Sequence, residues 1–383
     1  MGYLDRCADS ISENKVVDVI YFDFAKAFDT VPHKRLLKKL DAYGIKGLEL
    51  EWIKSFLSNR YQYVRVNDKL SKKVKVLSGV PQGSVLGPLL FVIYINDLPE
   101  VTAAEMFLFA DDTKLVEEIN NVQDAINLQQ DIDAMEKWSK DWLLRFHPDK
   151  CHVLTLGKFW NIKYAHPYTI GNSILEHVDK EKDLGVIIDS GLTFEEHICG
   201  KIKKANSIVG LIDRSFDYLS PEMLRTLFVT FVRHHLEYAQ AVWSPHLQKH
   251  INAIEGVQRR ATRLARGYRN FSYEDRIRIM GLPTLKIRRK MGDMVEVYKH
   301  LHSYDKASTC QKLTHHTRPQ RQHKQELQRN FANDGVRSYQ TNSFYYRSID
   351  PWNALGANVV ETKTVASFKE ELLSEWKDEL HKL

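Results

Sequence analysis

Two adjacent carboxylates in the middle of an apolar run limit most strongly what this chain can fold into. The stretch Phe107-Leu108-Phe109-Ala110-Asp111-Asp112-Thr113-Lys114-Leu115 must bury its aromatic and aliphatic side chains while keeping two anions out of the interior. A strand that turns tightly at the Asp-Asp step does both, and presents the pair to a cation. An Asp-Asp step alone is most often a solvated turn. A second stretch shifts the balance: Val19-Ile20-Tyr21-Phe22-Asp23-Phe24-Ala25-Lys26-Ala27-Phe28-Asp29 also places a carboxylate at the end of a β-branched and aromatic run. Side by side in one sheet, these strands would bring Asp23 to Asp111 and Asp112. The three carboxylates suit one divalent metal, or a pair of metals about 4 Å apart.

Between these stretches lies Ser78-Gly79-Val80-Pro81-Gln82-Gly83-Ser84-Val85-Leu86-Gly87-Pro88. Its glycines and prolines mark a shaped loop, where Gly79 and Gly83 let the backbone approach a ligand. Around it the periodicity predicts a strand over 16–23, a helix begun at Pro32 and ended at Gly44, and a helix over 48–57 with Trp52, Ile53, Phe56 and Leu57 inward. Residues 61–67 and 73–77 read as strands turning at Asn67-Asp68. Pro88 opens an apolar helix. A long amphipathic helix over 122–144, capped by Asn120 or Asn121, carries the stripe Ile126, Ile132, Met135, Trp138 and Leu143. Strands follow at 152–156 and 184–188. The fold class is α+β, an antiparallel sheet with helices on one face.

From Phe194 helical periodicity dominates to about residue 301, with Phe228, Phe231, Leu236 and Trp243 marking buried faces. Arg259, Arg263 and Arg266 share one predicted helical face. Residues 304–330 are polar, with His315, His316, Arg318, Arg321, His323 and Lys324 around Pro319, and read as a loop or linker. Beyond them come the aromatics Phe344, Tyr345, Tyr346 and Trp352 and an amphipathic helix over 365–376.

Charge separates the same regions. Residues 101–200 hold 9 Lys and Arg against 18 Asp and Glu, whereas residues 201–300 hold 19 against 9. An acidic middle followed by a basic segment suits a metal site beside a polyanion-binding surface; two ordinary solvated faces would look the same. No apolar run reaches the roughly 18 residues of a membrane span, and the N-terminus shows no apolar signal core. Cys7, Cys151, Cys199 and Cys310 are widely scattered and no C-x-x-C occurs, so reduced thiols in an intracellular protein are expected, in cytoplasm or nucleus. His197-Ile198-Cys199 and His234-His235 lack zinc-ligand spacing.

Three motifs in order now carry a resemblance. Phe22-Asp23-Phe24-Ala25-Lys26-Ala27-Phe28-Asp29-Thr30-Val31-Pro32-His33, the Ser78–Pro88 loop and Phe109-Ala110-Asp111-Asp112 resemble the reverse transcriptase domain of non-LTR retrotransposons of the Jockey type. His147-Pro148-Asp149-Lys150 and Leu184-Gly185-Val186-Ile187-Ile188-Asp189 extend the match, which covers about residues 16–290. The resemblance implies a right-hand polymerase palm over 1–192, an all-α thumb over 193–301, and a C-terminal linker and small helical tail over 302–383. It implies attack of a DNA primer 3′-hydroxyl on a dNTP along an RNA template. Asp23, Asp111 and Asp112 would be ligands of two Mg2+ ions, or Mn2+, and Lys150 a proton donor or phosphate partner to pyrophosphate. Phe28 would exclude a ribose 2′-OH, with Phe24, Gln82 and Gly83 lining the nucleotide pocket. Leu184 and Gly185 would grip the primer. Arg259, Arg263 and Arg266 would hold nucleic-acid backbone.

The chain departs from the family pattern at its front. Only 22 residues precede Asp23, so the fingers and their triphosphate clamp are expected to be truncated, and no endonuclease is evident. Either part can come from another chain; the oligomeric state is left open. Three roles remain: a polymerase fragment, a catalytically inactive nucleic-acid-binding remnant, and a folded remnant with no present role.

Overall fold

The computed structural model describes residues 2–157, 166–302, 313–314, 323–328 and 341–382. His315, His316, Arg318, Arg321 and Cys310 lie outside the described residues. The chain divides into two compact units, residues 14–181 and residues 1–13 with 182–383.

The first unit is built on a five-stranded sheet. Its strands are β1 (Val17–Phe22), β2 (Glu105–Phe109), β3 (Asp112–Glu118), β4 (His152–Leu156) and β5 (Glu176–Val178), in the order β5-β4-β1-β3-β2. Apolar runs of five to seven residues suit central strands, and β1 sits in the middle, antiparallel to both β3 and β4. The sheet is not wholly antiparallel, because β5 runs parallel to β4. Helix residues Ala125, Leu128, Ile132 and Met135 pack into one core with Ile20, Phe22, Leu115 and Val153. Val19, Val116 and Leu154 are buried as well, so β1 has no open apolar face.

The helices form where the pattern places them: His33–Ala42, Gly47–Leu57, Leu86–Ile95 and Val122–Trp142. Asn121 caps the last one in a reciprocal box with Asp124. Two expected inward residues are outside. Trp52 is 59% exposed, stacked along its own helix on Phe56. Leu143 is 48% exposed, because the helix ends before it and its left-handed backbone (φ +55°) turns it away from the stripe. The strands expected over 61–67 and 73–77 survive as two-residue pieces, Tyr61–Gln62 with Val74–Lys75 and Arg65–Val66 with Lys69–Leu70. Asn67 and Asp68, both at positive φ, make the predicted turn. The residues of this hairpin are exposed, so nothing packs on it to extend the pairing.

The second unit is helical, led by Glu195–Ser215, Gln248–Ala261 and Leu285–Leu301. The Gly2–Ser12 helix belongs to it: Tyr3 donates its hydroxyl proton to Asp183. Phe344, Tyr345, Trp352, Phe368 and Leu372 form one core with Met294, Val297 and Tyr298. Phe231 is 51% exposed rather than buried. Residues Phe228–Arg233 adopt a π-helix, which changes the angular step and turns Phe228 and Val232 inward instead. The arginines do not share a helix either. The helix stops at Ala261, Arg263 sits on a 3-10 turn, and Arg266 lies beyond it. Buried Thr262, the first residue of that turn, accepts a hydrogen bond from Arg276 Nε at 3.2 Å.

Candidate active site

Asp23 is the first residue past β1, and its side chain is 43% exposed. Pairing of Phe22 with Thr113 sets the next position on each strand, Asp23 and Asp112, face to face. Phe109 pairs with Asp112, leaving a two-residue loop of Ala110 and Asp111. Ala110 has φ +53°, a conformation costing a non-glycine residue about 1–2 kcal/mol. The turn thus gives up some stability to present Asp111 at its tip.

Backbone contacts hold Asp23 from behind. Its N–H donates to Cys151 Sγ at 3.5 Å, and its carbonyl accepts from the His147 N–H at 2.8 Å. Burial pushes the Cys151 thiol up to about 11, so sulfur stays protonated and neutral beside the carboxylate. Lys150, on the turn just before Cys151, puts Nζ 3.7 Å from Asp23 Oδ2. Nothing in the sequence marks Cys151 for this contact beyond its place at the start of an apolar strand.

The glycine-rich loop docks on the segment after Asp23. Gly79 N–H donates to the Val31 carbonyl and Val80 N–H to the Phe28 carbonyl, both at 2.8 Å. Gly79 has φ +90°, and a Cβ there would lie 2.7 Å from the Asp29 carbonyl oxygen, so only glycine fits. Gln82 Nε2 donates to Asp29 Oδ1 at 3.1 Å, while Gly83 faces open space. Phe28 stacks on Phe91 with ring centroids 4.6 Å apart. Phe24 is buried, its ring stacked on Phe146 at 4.6 Å, so only its backbone is available to a ligand.

The expected site residues therefore divide. Lys150 reaches Asp23, and register puts the Asp111-Asp112 turn at the end of the neighbouring strand, with Phe28, Gln82 and Gly83 on the docked loop and segment. Leu184 and Gly185 belong to the other unit. They form the positive-φ turn between Lys180–Asp183 and Val186–Asp189. Tyr238 donates to the Leu184 carbonyl at 2.9 Å, and its ring fills the space beside Gly185. Arg259, Arg263 and Arg266 are exposed in that unit, Arg259 over the Tyr273 ring and Arg266 over Tyr218.

Among the described residues no three His, Cys, Asp or Glu side chains are gathered closely enough to hold a metal ion. The donors nonetheless fit one in kind. Three carboxylates on neighbouring backbone positions offer the hard oxygens that Mg2+ takes, with room for water and phosphate oxygens. The expected ligand set is aligned along the backbone without being closed.

Paired strands that carry acids at one end, beside a glycine-shaped loop, define a polymerase-type fold. The family model for reverse transcriptase (RNA-dependent DNA polymerase) matches residues 6–219, and the chain belongs to that family. Its curated relatives are enzymes of non-LTR retrotransposons. A probable RNA-directed DNA polymerase from transposon BS of Drosophila melanogaster is 27% identical over 277 residues, 66% of this chain and 29% of that protein. The RNA-directed DNA polymerase from mobile element jockey of the same species is 34% identical over 197 residues, 49% of this chain and 21% of that protein. Its counterpart in Drosophila funebris is 29% identical over 275 residues, 68% of this chain and 29% of that protein. The chain spans less than a third of the length of these relatives.

Proposed function

We propose that this chain extends a DNA primer along an RNA template, with Asp23, Asp111 and Asp112 at the reacting centre. The observation that carries this is the β1–β3 register, which sets Asp23 against the Asp111-Asp112 turn. In the reaction the primer O3′ forms a bond to the dNTP α-phosphorus and the bond to pyrophosphate breaks. The hydroxyl proton leaves to solvent. Two Mg2+ ions, when bound by the three carboxylates, would supply charge for the nucleophile and the leaving group. Asp23 keeps its backbone position through Cys151 and His147 while its side chain turns from Lys150. Lys150, released from Asp23, neutralises pyrophosphate or gives it a proton. Phe28, fixed by Phe91, excludes a 2′-OH, and the Phe24 backbone with Gln82 and Gly83 borders the nucleotide.

In this reading residues 14–181 serve as the palm and the helices after Phe194 as the thumb. Leu184 and Gly185 steady the primer end, with Tyr238 supporting them. The exposed arginines take strand phosphates. Primer extension on an RNA template with Mg2+ tests it. Wild type should extend, and Asp111→Asn should lose about 100-fold or more, the scale of one charged group stabilising a transition state.

Binding without catalysis is the second reading, favoured by the open arrangement of the three carboxylates. It predicts no extension by either protein, with salt-sensitive binding of the template–primer intact in both.

A further inference from the structure

The Leu285–Leu301 helix begins with the run Lys286-Ile287-Arg288-Arg289-Lys290. Helical spacing gathers Lys286, Arg289, Lys290 and Asp293 on one side. That side lines a cavity of about 180 Å3, which Arg347 and Ser244 line as well. The described residues that line it all belong to the 182–383 segment, and the carboxylates of β1 and β3 are not among them.

Arg289 is 4% exposed, and its NH1 atom is buried without a hydrogen-bond partner among the described residues. The charges that face it are Glu255, Asp293, Glu237 and Arg347. Each of those carboxylates is already engaged. Asp293 takes Arg347 Nε at 2.9 Å and NH2 at 3.1 Å. Glu255 accepts from the Tyr273 hydroxyl and from the Leu285 N–H at 2.9 Å. Glu237 takes the fork of Arg288, with NH2 at 2.9 Å. Lys290 leans over the Trp376 ring and reaches Glu379 at 3.5 Å. Among the described residues the cavity wall therefore holds four cations and one carboxylate, and that carboxylate is taken up by Arg347.

A guanidinium buried with a donor unmatched is a destabilising state, and here burial pushes Arg289 down to about 10. An anion in the cavity lowers the charge penalty of the buried guanidinium by Coulomb attraction. Phosphate matches better than a carboxylate: its oxygens accept in several directions, and its edge fits the guanidinium fork. The cavity has room for it, since a water takes about 30 Å3 of liquid volume.

We propose that this cavity binds one phosphate group, held by Arg289 with Lys286 and Lys290 at its mouth. The group is either free inorganic phosphate or a phosphate of a nucleic-acid strand. The site stands whether or not the chain polymerises.

Thermal unfolding of the full chain in inorganic phosphate, against sodium acetate and chloride at equal ionic strength, is the test. Phosphate should raise the wild-type Tm in a saturable way that acetate and chloride do not match. Arg289→Met should lose that rise. Lys286→Ala, a change at the exposed mouth that spares the core, should move the phosphate midpoint at least threefold higher. A rise equal in acetate or chloride overturns the site, as does an unchanged phosphate response in Lys286→Ala and in any Arg289→Met that folds. Competition of inorganic phosphate against a fluorescent oligonucleotide then separates the sources. Displacement that Lys286→Ala weakens assigns the site to a strand phosphate, and undisturbed oligonucleotide binding assigns it to the free ion.

Discussion

At the scale of single residues, the proposed nucleotide side of the site is stiffer than its acid side. Phe28 cannot swing freely, because Phe91 stacks on it with planes 18° apart. A fixed ring can discriminate by contact, where a mobile one would yield. Phe28→Val should therefore narrow the preference for dNTP over rNTP by about tenfold or more, the scale of one lost apolar contact, in single-nucleotide incorporation assays. Unchanged discrimination would remove Phe28 from the gate. The acids themselves were legible in the sequence, since a carboxylate that ends an apolar run has to leave the interior and meet solvent or a cation. Their support was not. Cys151 backs Asp23 through sulfur, and Asp29 anchors Gln82, yet neither contact follows any local spacing. The expected contact of Phe24 with nucleotide narrows to its backbone because Phe146, more than a hundred residues away, takes the ring.

At the scale of elements, local rules carried well where the deciding residues were neighbours. The Asn67-Asp68 turn, the Asn121 cap and the end of the helix at Gly44 all formed as their side-chain chemistry requires. They missed features that residues further along the chain take part in. Thr262, whose hydroxyl accepts from Arg276, stands on a 3-10 turn, and the π-helical turn at Phe228 buries Val232 in place of Phe231. The junction of the Val186–Asp189 strand with the Glu195–Ser215 helix shows the same dependence. His197, on the helix, accepts the Ile187 N–H at Nδ1 at 3.1 Å, and burial, aided by Lys201, pushes its pKa to about 4. The folded pKa lies below the ordinary histidine value of 6.5, so the unfolded chain takes up the proton first. The contribution is complete above pH 6.5 and fades as pH falls towards 4. Thermal melts from about pH 7 to about pH 5 should show wild type losing stability more steeply than His197→Phe, which has no proton to gain. Parallel profiles would mean that the imidazole is not held neutral.

At the scale of the whole molecule, charge is sorted along the chain, and in the basic share Arg259 on its helix and Arg266 beyond it rest on aromatic rings. Arg259 and Arg266 are thereby held outward, as a phosphate-binding surface requires. Replacing Arg259, Arg263 and Arg266 by alanine should flatten the log–log salt dependence of RNA–DNA binding by about one for each arginine that touches a phosphate. An unchanged slope would place the contacts elsewhere.

The membership of the Gly2–Ser12 helix has a consequence in time. Its unit resumes only at Lys182, after the whole sheet-bearing segment has been made. Tyr3 therefore waits for Asp183 through about 9–36 s of synthesis at about 5–20 residues per second. Cys7, Ala8 and Ile11 are buried in the finished fold, and most of their unit is still unmade during that interval. The nascent helix then stays open to a chaperone while the sheet-bearing segment behind it emerges.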